Sequence, residues 1–487
     1  MRRFAEQALS RAAGAGLISG NRVELLIDAR ANYAAWLEAI RGAQHCILFE
    51  NYIYSDDAIG REFRDALAER ASAGIKVFVL RDWVGCLRES NAAFWKPLLD
   101  AGGEVRVFNP PSVASPFAWL SRDHRKSIVV DGAIGFVSGM CVSSKWLGNP
   151  EKGIPPWRDT GVAIHGPAIA ELVRAFADVW QQIGTPLPDA IVTCVHAQSA
   201  SGDIDLRVVA TMPNTVGLYR LDQLIAAIAQ KSLWLTDAYF VGTNAYVQAL
   251  TAAARDGVDV RLLVPGSSDV PAVASLSRAG YRVLLEAGVR VFEWNGSMLH
   301  AKTAVADRRW ARVGSTNLNI ASWMGNCELD VAIENIAFAQ QMEKQYLADL
   351  GNATEIVLNE RQRIRCSAVP PANPKRIGGS ASRATASAIR LANTVGATFK
   401  RRRDLGAAEA GIVLGSALAL LVTALIGLLW PRLLAWPLAL FALWIGLAEL
   451  YRYSRLKRRG SSSTAGPEST AQPNPSPMDQ HRVDRDP

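Results

Sequence analysis

One eight-residue frame occurs twice in this chain, about 176 positions apart. The first copy is HRKSIVVD, residues 124–131, and the second is HAKTAVAD, residues 300–307. Both place Lys two residues and Asp seven residues after His, although the 487 residues include only six histidines. At ordinary residue usage, a given His has on the order of one chance in several hundred of carrying both partners. The repetition therefore predicts a duplicated architecture in which both frames contribute.

The surroundings of the two frames also correspond. Strand-like and helix-like stretches alternate in both halves, which is typical of an α/β fold. A repeat of this length is too long for a solenoid, so we predict two homologous α/β/α sandwich domains. Three pairs of segments match at an offset near 180 residues: CILFENYIY (46–54) with SLWLTDAYF (232–240), ALAERASAGIKVFVL (66–80) with ALTAAARDGVDVRLLV (249–264), and LLDAGGEVRVFN (98–109) with LLEAGVRVFEWN (284–295).

After about residue 365 the composition changes. A stretch rich in Pro, Gly, Ala and Ser follows and reads as a linker, and the last residues are polar and Pro/Ser-rich, which predicts disorder. We therefore divide the chain into six segments: an N-terminal extension 1–20, a first domain 21–200, a second domain 201–365, a basic linker 366–404, a membrane hairpin 405–454 and a disordered tail 455–487.

The hairpin prediction depends on two apolar runs. Residues 411–430 contain no charge over twenty positions, enough to cross a bilayer core. The second run, 433–448, is shorter and is interrupted by Pro437, so a re-entrant hairpin is an open variant. Basic clusters at 400–403 and 455–459 flank the pair, which predicts that both ends face the cytoplasm. A buried helical pair in a soluble core is the alternative, but the runs lack an amphipathic face.

Charge and cysteine usage restrict the environment of the protein. The formal net charge of +8 favours anionic partners, namely nucleic acid, anionic lipid or phosphorylated substrates, without choosing among them. The six cysteines are scattered and form no C-x-x-C pair, which predicts free thiols in a reducing compartment. The first twenty residues lack the apolar core of a secretory signal, so we expect the N-terminal part to stay in the cytosol.

The frames themselves favour phosphoryl chemistry. On a strand, residues two apart share a face, so His124 with Lys126, and His300 with Lys302, point the same way. Lysine binds phosphate as a point charge, and histidine acts as a nucleophile or a general acid. Metal binding fits poorly, because a lysine beside the imidazole repels cations and no Cys or paired His lies nearby. A serine triad also fits poorly, because no G-x-S-x-G motif is present.

Further polar residues follow each frame. GSTNLN, residues 314–319, supplies Gly314, Ser315 and Asn317, which suit an approach to phosphate oxygens. Glu328 in NCELDVAI and Asp159 in PWRDTGVAI occupy matching places in the two halves. We expect each carboxylate to accept a hydrogen bond from the histidine of its own half and so fix its tautomer, the alternative being a surface ion pair.

These motifs resemble the phospholipase D superfamily and, within it, the bacterial cardiolipin synthases. The resemblance covers about residues 20–350. It rests on both His-x-Lys-x4-Asp frames, on GSTN, on WRDTGV and NCELDV, and on ENYIYSDD, residues 50–57. It implies that the two halves pack as a pseudo-dimer with one shared active site, that one histidine becomes a phosphohistidine, and that no metal or other cofactor is needed.

The resemblance also implies a role for each residue. His124 would be the nucleophile and His300 the acid and base, while the remaining residues would assist them. Lys126, Lys302 and Asn317 would hold the phosphoryl oxygens, Asp131 and Asp307 would support the frames, and Asp159 and Glu328 would orient the histidines. One departure stands out: after the first frame the chain has SGMC (138–141), with Ser138 for a glycine and Cys141 for an asparagine of the family pattern.

The leading interpretation is a phosphatidyltransferase of the bacterial inner membrane, with its catalytic domains facing the cytoplasm. It would use phosphatidylglycerol, with phosphatidylethanolamine as the alternative for the second lipid, and would have no nucleic-acid partner. A hydrolytic phospholipase D is the first alternative. A nuclease of the same superfamily and an inactive membrane scaffold are two others. The intact His and Lys of both frames disfavour the scaffold.

Overall fold

We describe the protein from a computed structural model. The described residues are 2–112, 118–193, 199–358 and 364–366, together with helical residues at 418, 421–429, 432, 435–436, 439–447 and 450. The chain divides into two compact units, of which the larger comprises Met1–Pro111 with Phe117–Ala424 and the smaller Ser112–Pro116 with Leu425–Pro487. Both frames therefore lie in the larger unit.

Helices and strands alternate along the larger unit. The helices are α1 Arg2–Ala13, α2 Asp28–Gly42, α3 Ala58–Ser72, α4 Ala92–Asp100, α5 Ile169–Gln182, α6 Asp189–Thr193, α7 Gly217–Ile228, α8 Asn244–Arg255, α9 Pro271–Glu286 and α10 Ile336–Leu350. The strands are β1 Ile18–Ile27, β2 Cys46–Asn51, β3 Lys76–Asp82, β4 Glu104–Phe108, β5 Arg122–Asp123, β6 Lys126–Val130, β7 Ile134–Ser138, β8 Thr160–His165, β9 Ile204–Thr211, β10 Ser232–Thr236, β11 Asp259–Pro265, β12 Arg290–Trp294, β13 Thr303–Ala306, β14 Trp310–Gly314, β15 Asn326–Glu334, β16 Ala353–Leu358 and β17 Ile364–Cys366.

The two halves build sheets of the same topology. In the first half the order is β4-β3-β2-β6-β7-β8-β1, and in the second it is β12-β11-β10-β13-β14-β15-β9. The first three strands of each order are parallel, and the others pair antiparallel. A short antiparallel contact between β1 and β9 joins the sheets, and β16 extends the second sheet beside β12. The predicted α/β class is confirmed, and the repeated order matches the predicted duplication.

Apolar side chains from both halves form a common core. Helices α5 and α10 are the corresponding helices of the two halves, and their buried faces belong to one cluster that also includes residues of both sheets. Two further clusters lie beneath the other helices of each half. Members of the common core include Leu172 and Phe176 from α5, Val137 from β7, Val313 from β14, and Phe338 and Met342 from α10. One continuous core therefore fixes the two halves against each other.

The N-terminal extension is not a separate segment, because helix α1 packs on the second half. Its residues Leu9 and Ala13 are buried in the cluster that contains Leu218 and Leu221 of α7. Burying apolar surface in this way stabilises the second half by about 25 cal/mol for each Å² removed from water. The helix joins the fold although it precedes the first predicted domain.

The Asp of each frame follows the last residue of its strand, and its carboxylate accepts backbone N–H groups at the start of a neighbouring strand. Asp131 and Asp307 both adopt positive φ angles, 53° and 49°, which Asp tolerates better than most residues. Asp131 accepts hydrogen bonds from the backbone N–H groups of residues 44–46, at 2.7–2.8 Å. Asp307 accepts from those of residues 230–232, at 2.7–2.9 Å. The two turns therefore have the same geometry and bind the starts of the equivalent strands β2 and β10.

The smaller unit carries part of the predicted hairpin. Its described residues from 425 onward are helical, and leucines along them are largely exposed, among them Leu425, Leu428, Leu443 and Leu447. Among the residues that the structure describes, no helix is both long enough and apolar enough to cross a membrane. Much of the predicted hairpin 405–454, the linker 366–404 and the tail 455–487 lie outside the described residues.

Candidate active site

The two frames lie at the same edge of their sheets. Lys126 begins β6 and pairs with Asn51 at the carboxyl end of β2, while Lys302 comes directly before β13 beside β10. His124 and His300 precede these lysines by two residues and are only 9% and 6% exposed. Each lysine Nζ donates a hydrogen bond to the carbonyl of its own histidine. The frames thus place a cation and an imidazole together at the carboxyl ends of parallel strands.

Each histidine is bonded to a carboxylate of the opposite half. His124 Nδ1 lies 2.9 Å from Glu328 Oε2, and His300 Nδ1 lies 2.8 Å from Asp159 Oδ2. Both carboxylates are fully buried. The prediction that each carboxylate serves the histidine of its own half is therefore wrong. The pairs cross between the halves and bring both frames into one site.

Short backbone contacts between the halves explain the crossing. β15 runs parallel to β5, so Cys327 lies beside Asp123 and its carbonyl accepts the N–H of His124 at 2.9 Å. In the same way the carbonyl of Arg158 accepts the N–H of His300 at 2.8 Å. The next residue after each of these carbonyls is the carboxylate that reaches the histidine. Each backbone contact therefore places the following residue, Glu328 or Asp159, so that its carboxylate reaches the histidine of the other half.

The two carboxylates are held by different donors. Glu328 also accepts the hydroxyl proton of Ser315 at 2.6 Å and an amide proton of Asn326 at 3.0 Å. Asp159 instead accepts from the indole N–H of Trp146 at 2.9 Å and from the backbone N–H of Thr160 at 2.8 Å. With Nδ1–H donated to a carboxylate, the Nε2 atom of each imidazole carries the lone pair.

Burial sets the charge states in the site. It lowers the pKa of His124 to about 4 and that of His300 to about 3, and the adjacent lysines act in the same direction. Burial would raise the pKa of Glu328 and of Asp159, but the hydrogen-bonded histidines and the lysines outweigh it and hold both values low. At neutral pH both imidazoles are therefore neutral and both carboxylates ionised. A neutral imidazole bonded to a carboxylate is a competent nucleophile.

Lys302 is a buried cation with a perturbed pKa. Burial lowers its pKa to about 8, with Lys126 adding to the effect and Asp159 opposing it. Its Nζ lies 3.0 Å from His300 Nδ1, which is one reason why the pKa of His300 is low. Two buried lysines near each other need an anion between them, because like charges in a low dielectric repel strongly. This favours a phosphate group as the ligand.

Aromatic rings enclose both histidines. Tyr52 contacts the His124 ring edge-on at a centroid distance of 4.9 Å and lies 5.1 Å from Lys126 Nζ. Trp146, Trp157 and Tyr239 surround the His300 ring at 5.3, 5.8 and 5.9 Å. The rings exclude water from the imidazoles and so strengthen the electrostatic interactions inside.

Arg158 links the site to the far half by an ion pair. Its guanidinium lies 2.9 Å from Asp349 at the end of α10 and 3.3 Å from Asp28 at the start of α2. Asp28 also accepts the backbone N–H of Asp159 at 3.0 Å and donates its own to the Asp159 carbonyl. The peptide group of Asp159 is therefore held on both sides, which fixes the direction of its carboxylate.

The predicted phosphate-contact residues divide into two groups. Asn317 is 4% exposed, and its Nδ2 donates one proton to Ser322 Oγ at 3.5 Å, which leaves the second amide proton for a ligand oxygen. By contrast, Ser315 donates its proton to Glu328, and a Cβ at Gly314 would collide with Asp330. Ser315 thus orients Glu328, Gly314 permits close packing, and Asn317 alone keeps an amide for a ligand.

Cys141 lies in the place that corresponds to Asn317. The pairings Ser127 with Val137 and Thr303 with Val313 align the two hairpins, and Cys141 and Asn317 each follow four residues later. The thiol is buried, and burial raises its pKa to about 11, so it is neutral. A thiol is a weak donor, and the first half therefore lacks the amide that the second half offers.

Asp131 and Asp307, predicted as frame residues, do not reach this site. Each stands at the far end of its strand, seven residues from the histidine, and a strand rises about 3.3 Å per residue. Their carboxylates are used by backbone N–H groups, as described above. Sequence reasoning missed Tyr52, Trp146 and Tyr239, although the aromatic residues of NYIY (51–54) and AYF (238–240), close to the ends of β2 and β10, were a usable signal for the two tyrosines.

Comparison with known proteins agrees with this fold. The structure is similar to that of a phosphatidylserine synthase from Haemophilus influenzae Rd KW20, with a TM-score of 0.57, 16% identity and coverage of 72% of this chain and 91% of the other. It is also similar to a polyphosphate kinase from Porphyromonas gingivalis, with a TM-score of 0.50, 12% identity, and coverage of 77% and 53%. At these identities the likeness concerns the fold alone.

Sequence similarity is closer and narrows the class. The family profile described as "Cardiolipin synthase, PLD-like domain" matches residues 223–350. Cardiolipin synthase A of Pseudomonas aeruginosa strain LESB58 is 34% identical over 364 residues, covering 74% of this chain and 73% of its own length. Cardiolipin synthase of Alkalihalophilus pseudofirmus is 32% identical over 342 residues, covering 69% and 67%. The chain belongs to the cardiolipin synthase family.

Proposed function

We propose that the protein is a phosphatidyltransferase that makes cardiolipin from phosphatidylglycerol and a second phospholipid alcohol. The crossed pairs His124–Glu328 and His300–Asp159 carry this proposal, because they join two equivalent histidines in one site. The two halves then work as a pseudo-dimer with a single shared centre. The names of the related synthases support the choice of lipid substrates.

In the first step one histidine attacks the phosphorus of the donor lipid. His124 Nε2 forms a P–N bond, and the P–O bond to the leaving glycerol breaks. His300 protonates that oxygen. The phosphodiester brings a negative charge between Lys126 and Lys302, which offsets their effect on His300 and raises its pKa when substrate binds. Lys126, Lys302 and Asn317 hold the phosphoryl oxygens.

In the second step the intermediate transfers its phosphatidyl group. His300 takes the proton of the incoming lipid alcohol, the alcohol oxygen attacks phosphorus, and the P–N bond to His124 breaks. Asp159 and Glu328 keep both imidazoles in the required tautomer. Chemically, water in place of the lipid alcohol would give a hydrolytic phospholipase D. The aromatic enclosure of both histidines favours transfer, because it limits the access of water.

We also propose that residues 405–454 hold the enzyme on its substrate plane as a membrane hairpin, at the inner membrane with the catalytic unit in the cytoplasm. The uncharged run 411–430 and the exposed leucines of the smaller unit support this. A truncation after residue 400 should then weaken sedimentation with membranes. Complete sedimentation of the truncated protein would contradict the anchor.

The function is tested by product analysis. Purified protein is incubated with phosphatidylglycerol, with and without phosphatidylethanolamine, and products are identified by mass spectrometry. We expect cardiolipin and free glycerol from phosphatidylglycerol alone, and none from His124→Ala or His300→Ala. Phosphatidic acid as the main product would favour hydrolysis instead, and substantial transfer by either variant would refute the paired-histidine mechanism. EDTA should leave the activity intact, because the lysines supply the positive charge.

A further inference from the structure

We propose that Tyr239 and Asp269 form a subsite that binds the hydroxyl groups of a glycerol-type head group beside His300. This inference rests on the proposed function and deepens it, since it assigns a place to the alcohol of the donor and acceptor lipids. Neither residue belongs to a frame or to the motifs that follow the frames.

Tyr239 connects the reacting centre with Asp269. Its ring lies edge-on to the His300 ring at 5.9 Å, and Lys302 Nζ is 5.9 Å from the ring centre. Its hydroxyl donates a hydrogen bond to Asp269 Oδ1 at 2.7 Å. Tyr239 therefore contacts His300 through its ring and Asp269 through its hydroxyl.

The tyrosine is held in this position by its backbone. Its N–H donates to Asp237 Oδ1 at 2.9 Å, and its carbonyl accepts from Asn319 Nδ2 at 3.0 Å. Asn319 belongs to the same loop as Asn317, which holds the proposed phosphate contact. The hydroxyl-binding pair and the phosphate-binding loop are thus fixed to each other, as a subsite for two parts of one ligand requires.

The chemistry of the pair suits a polyol. Tyr239 and Asp269 are both half-buried, so a ligand can reach them. An ionised carboxylate has about four lone-pair positions, so Asp269 can accept hydroxyl protons in addition to that of Tyr239. Hydrogen bonds to a charged group are stronger than those between neutral groups. An ammonium head group suits the place less well, because Lys302 beside the ring would repel it.

Among the described residues of the first half, a cysteine takes the place that corresponds to Asp269. The carboxylate of Asp131 accepts the N–H of Cys46 and that of Asp307 accepts the N–H of Ser232, so Cys46 and Ser232 are equivalent positions. Their partners on the neighbouring parallel strands, Lys76 and Asp259, are then equivalent as well.

Ten residues beyond those partners stand Cys86 and Asp269. The Cys86 thiol packs against the segment after β2, with Sγ 3.6 Å from the carbonyl oxygen of Tyr52 and 3.3 Å from the backbone nitrogen of Tyr54. Burial raises the pKa of this thiol, so it stays neutral. At this place the first half thus has a neutral thiol where the second half has a carboxylate.

This asymmetry bears on which histidine meets the alcohol. A head group held by Tyr239 and Asp269 places its reacting oxygen next to His300. His300 is then the group that donates a proton to the leaving glycerol and takes one from the incoming lipid. His124, whose side lacks the subsite, is left to bond phosphorus.

The test separates the two chemical steps. The donor is a phosphatidyl-p-nitrophenol with deuterated acyl chains, whose leaving group has no aliphatic hydroxyls and whose release is followed by absorbance. Unlabelled phosphatidylglycerol is the acceptor, so that deuterated cardiolipin reports transfer and deuterated phosphatidic acid reports hydrolysis. The full-length protein is compared with Asp269→Ala, Asp269→Asn and Tyr239→Phe. Asp256→Ala is the matched control, because this exposed residue precedes β11 at its opposite end.

We expect Asp269→Ala to lower the ratio of deuterated cardiolipin to released nitrophenolate about tenfold or more, with a matching rise in phosphatidic acid. Asp269→Asn and Tyr239→Phe should give smaller falls, since each keeps part of the pair, and the control should match the parent protein. An unchanged ratio in all three variants would overturn the subsite. So would a larger loss of cardiolipin formation when phosphatidylethanolamine replaces the nitrophenyl lipid as donor, which would mean an ammonium site. Absence of nitrophenolate release from the parent protein would refute the proposed function itself, and with it this inference.

Discussion

Glu328 and His124 belong to different halves of the chain, yet their side chains are joined by a hydrogen bond of 2.9 Å. The bond fixes the imidazole tautomer of a histidine that lies 204 residues away in sequence. His300 and Asp159 repeat the relationship in the opposite direction.

The crossing predicts which substitution disturbs which histidine. In a His300→Ala background, only His124 should give a downfield Nδ1–H proton resonance of the carboxylate-bonded kind. We expect Glu328→Gln to weaken or shift that resonance strongly, because the charged acceptor is lost, while Asp159→Asn should leave it in place. Proton NMR of the two double variants makes the comparison. Sensitivity to Asp159 instead would contradict the crossed pairing.

The lowered pKa of Lys302 predicts an alkaline limit to activity. Its side chain carries the charge that binds phosphate, and that charge is lost as the pH rises through about 8. The value of kcat/KM should therefore decline tenfold per pH unit above that point. In Lys302→Arg the guanidinium does not titrate, so whatever activity remains should lack this limb. If kcat/KM of the variant still declines above the same pH, the decline is caused by the titration of another group.

Acid stability should depend on the buried histidines. His300 has a pKa near 3 in the folded protein against about 6.5 when unfolded, so the unfolded state binds more protons between these values. The free energy of unfolding should consequently fall as the pH drops from 6.5 toward 4. His300→Asn should flatten this dependence, and the exposed His45→Asn should not. Urea unfolding at several pH values measures it, and equal slopes in all three proteins would argue against the assignment.

Cys141 offers a gain-of-function experiment. The Sγ atom stands where Asn317 stands in the second half, and Cys141→Asn would supply a second amide to the phosphate. A hydrogen bond to a charged group contributes about 1.5–3 kcal/mol, so kcat/KM should rise about tenfold or more. The reverse change, Asn317→Cys, should lower it by a similar factor. Steady-state kinetics with phosphatidylglycerol decides, and a loss in both variants would mean that the two halves hold the phosphate in unequal ways.

Asp131 and Asp307 should act on stability and not on chemistry. Each accepts backbone N–H groups of three successive residues at the start of a strand. Asn tolerates the left-handed backbone but lacks the charge, so Asp131→Asn and Asp307→Asn should each cost about 1–3 kcal/mol of stability. The kcat per folded molecule should remain close to that of the parent. A large loss of kcat at full folding would return these residues to the active site.

Much of the fold followed from the sequence because duplication leaves a long-range signal. The offset near 180 residues predicted two equivalent α/β halves, and the sheet orders repeat accordingly. His124, Lys126, His300 and Lys302 could be singled out because the same spacing occurs twice. The spacing also drew attention to Asp131 and Asp307, which recur because both halves need the same turn.

The crossing of the carboxylates could not be predicted in the same way. Sequence proximity suggested that Asp159 serves His124, whereas the pairing depends on how β5 and β15 meet between the halves. Ser315 was similarly assigned to the phosphate because its hydroxyl suits an anion. Its real partner, Glu328, is 13 residues away and reached only through the hairpin of β14 and β15. Contacts made by packing between halves leave no periodic pattern to read.

The exchange of carboxylates constrains how such a chain could have arisen. A single half has a histidine without its carboxylate and a carboxylate without its histidine, so an ancestor of half this length could complete a centre only by pairing with a second copy of itself. Such a pair would carry two identical contributions. After fusion into one polypeptide, the sequences of the two copies could change independently. The differences between Cys141 and Asn317, and between Cys86 and Asp269, are changes that a symmetric ancestor could not have made on one side alone.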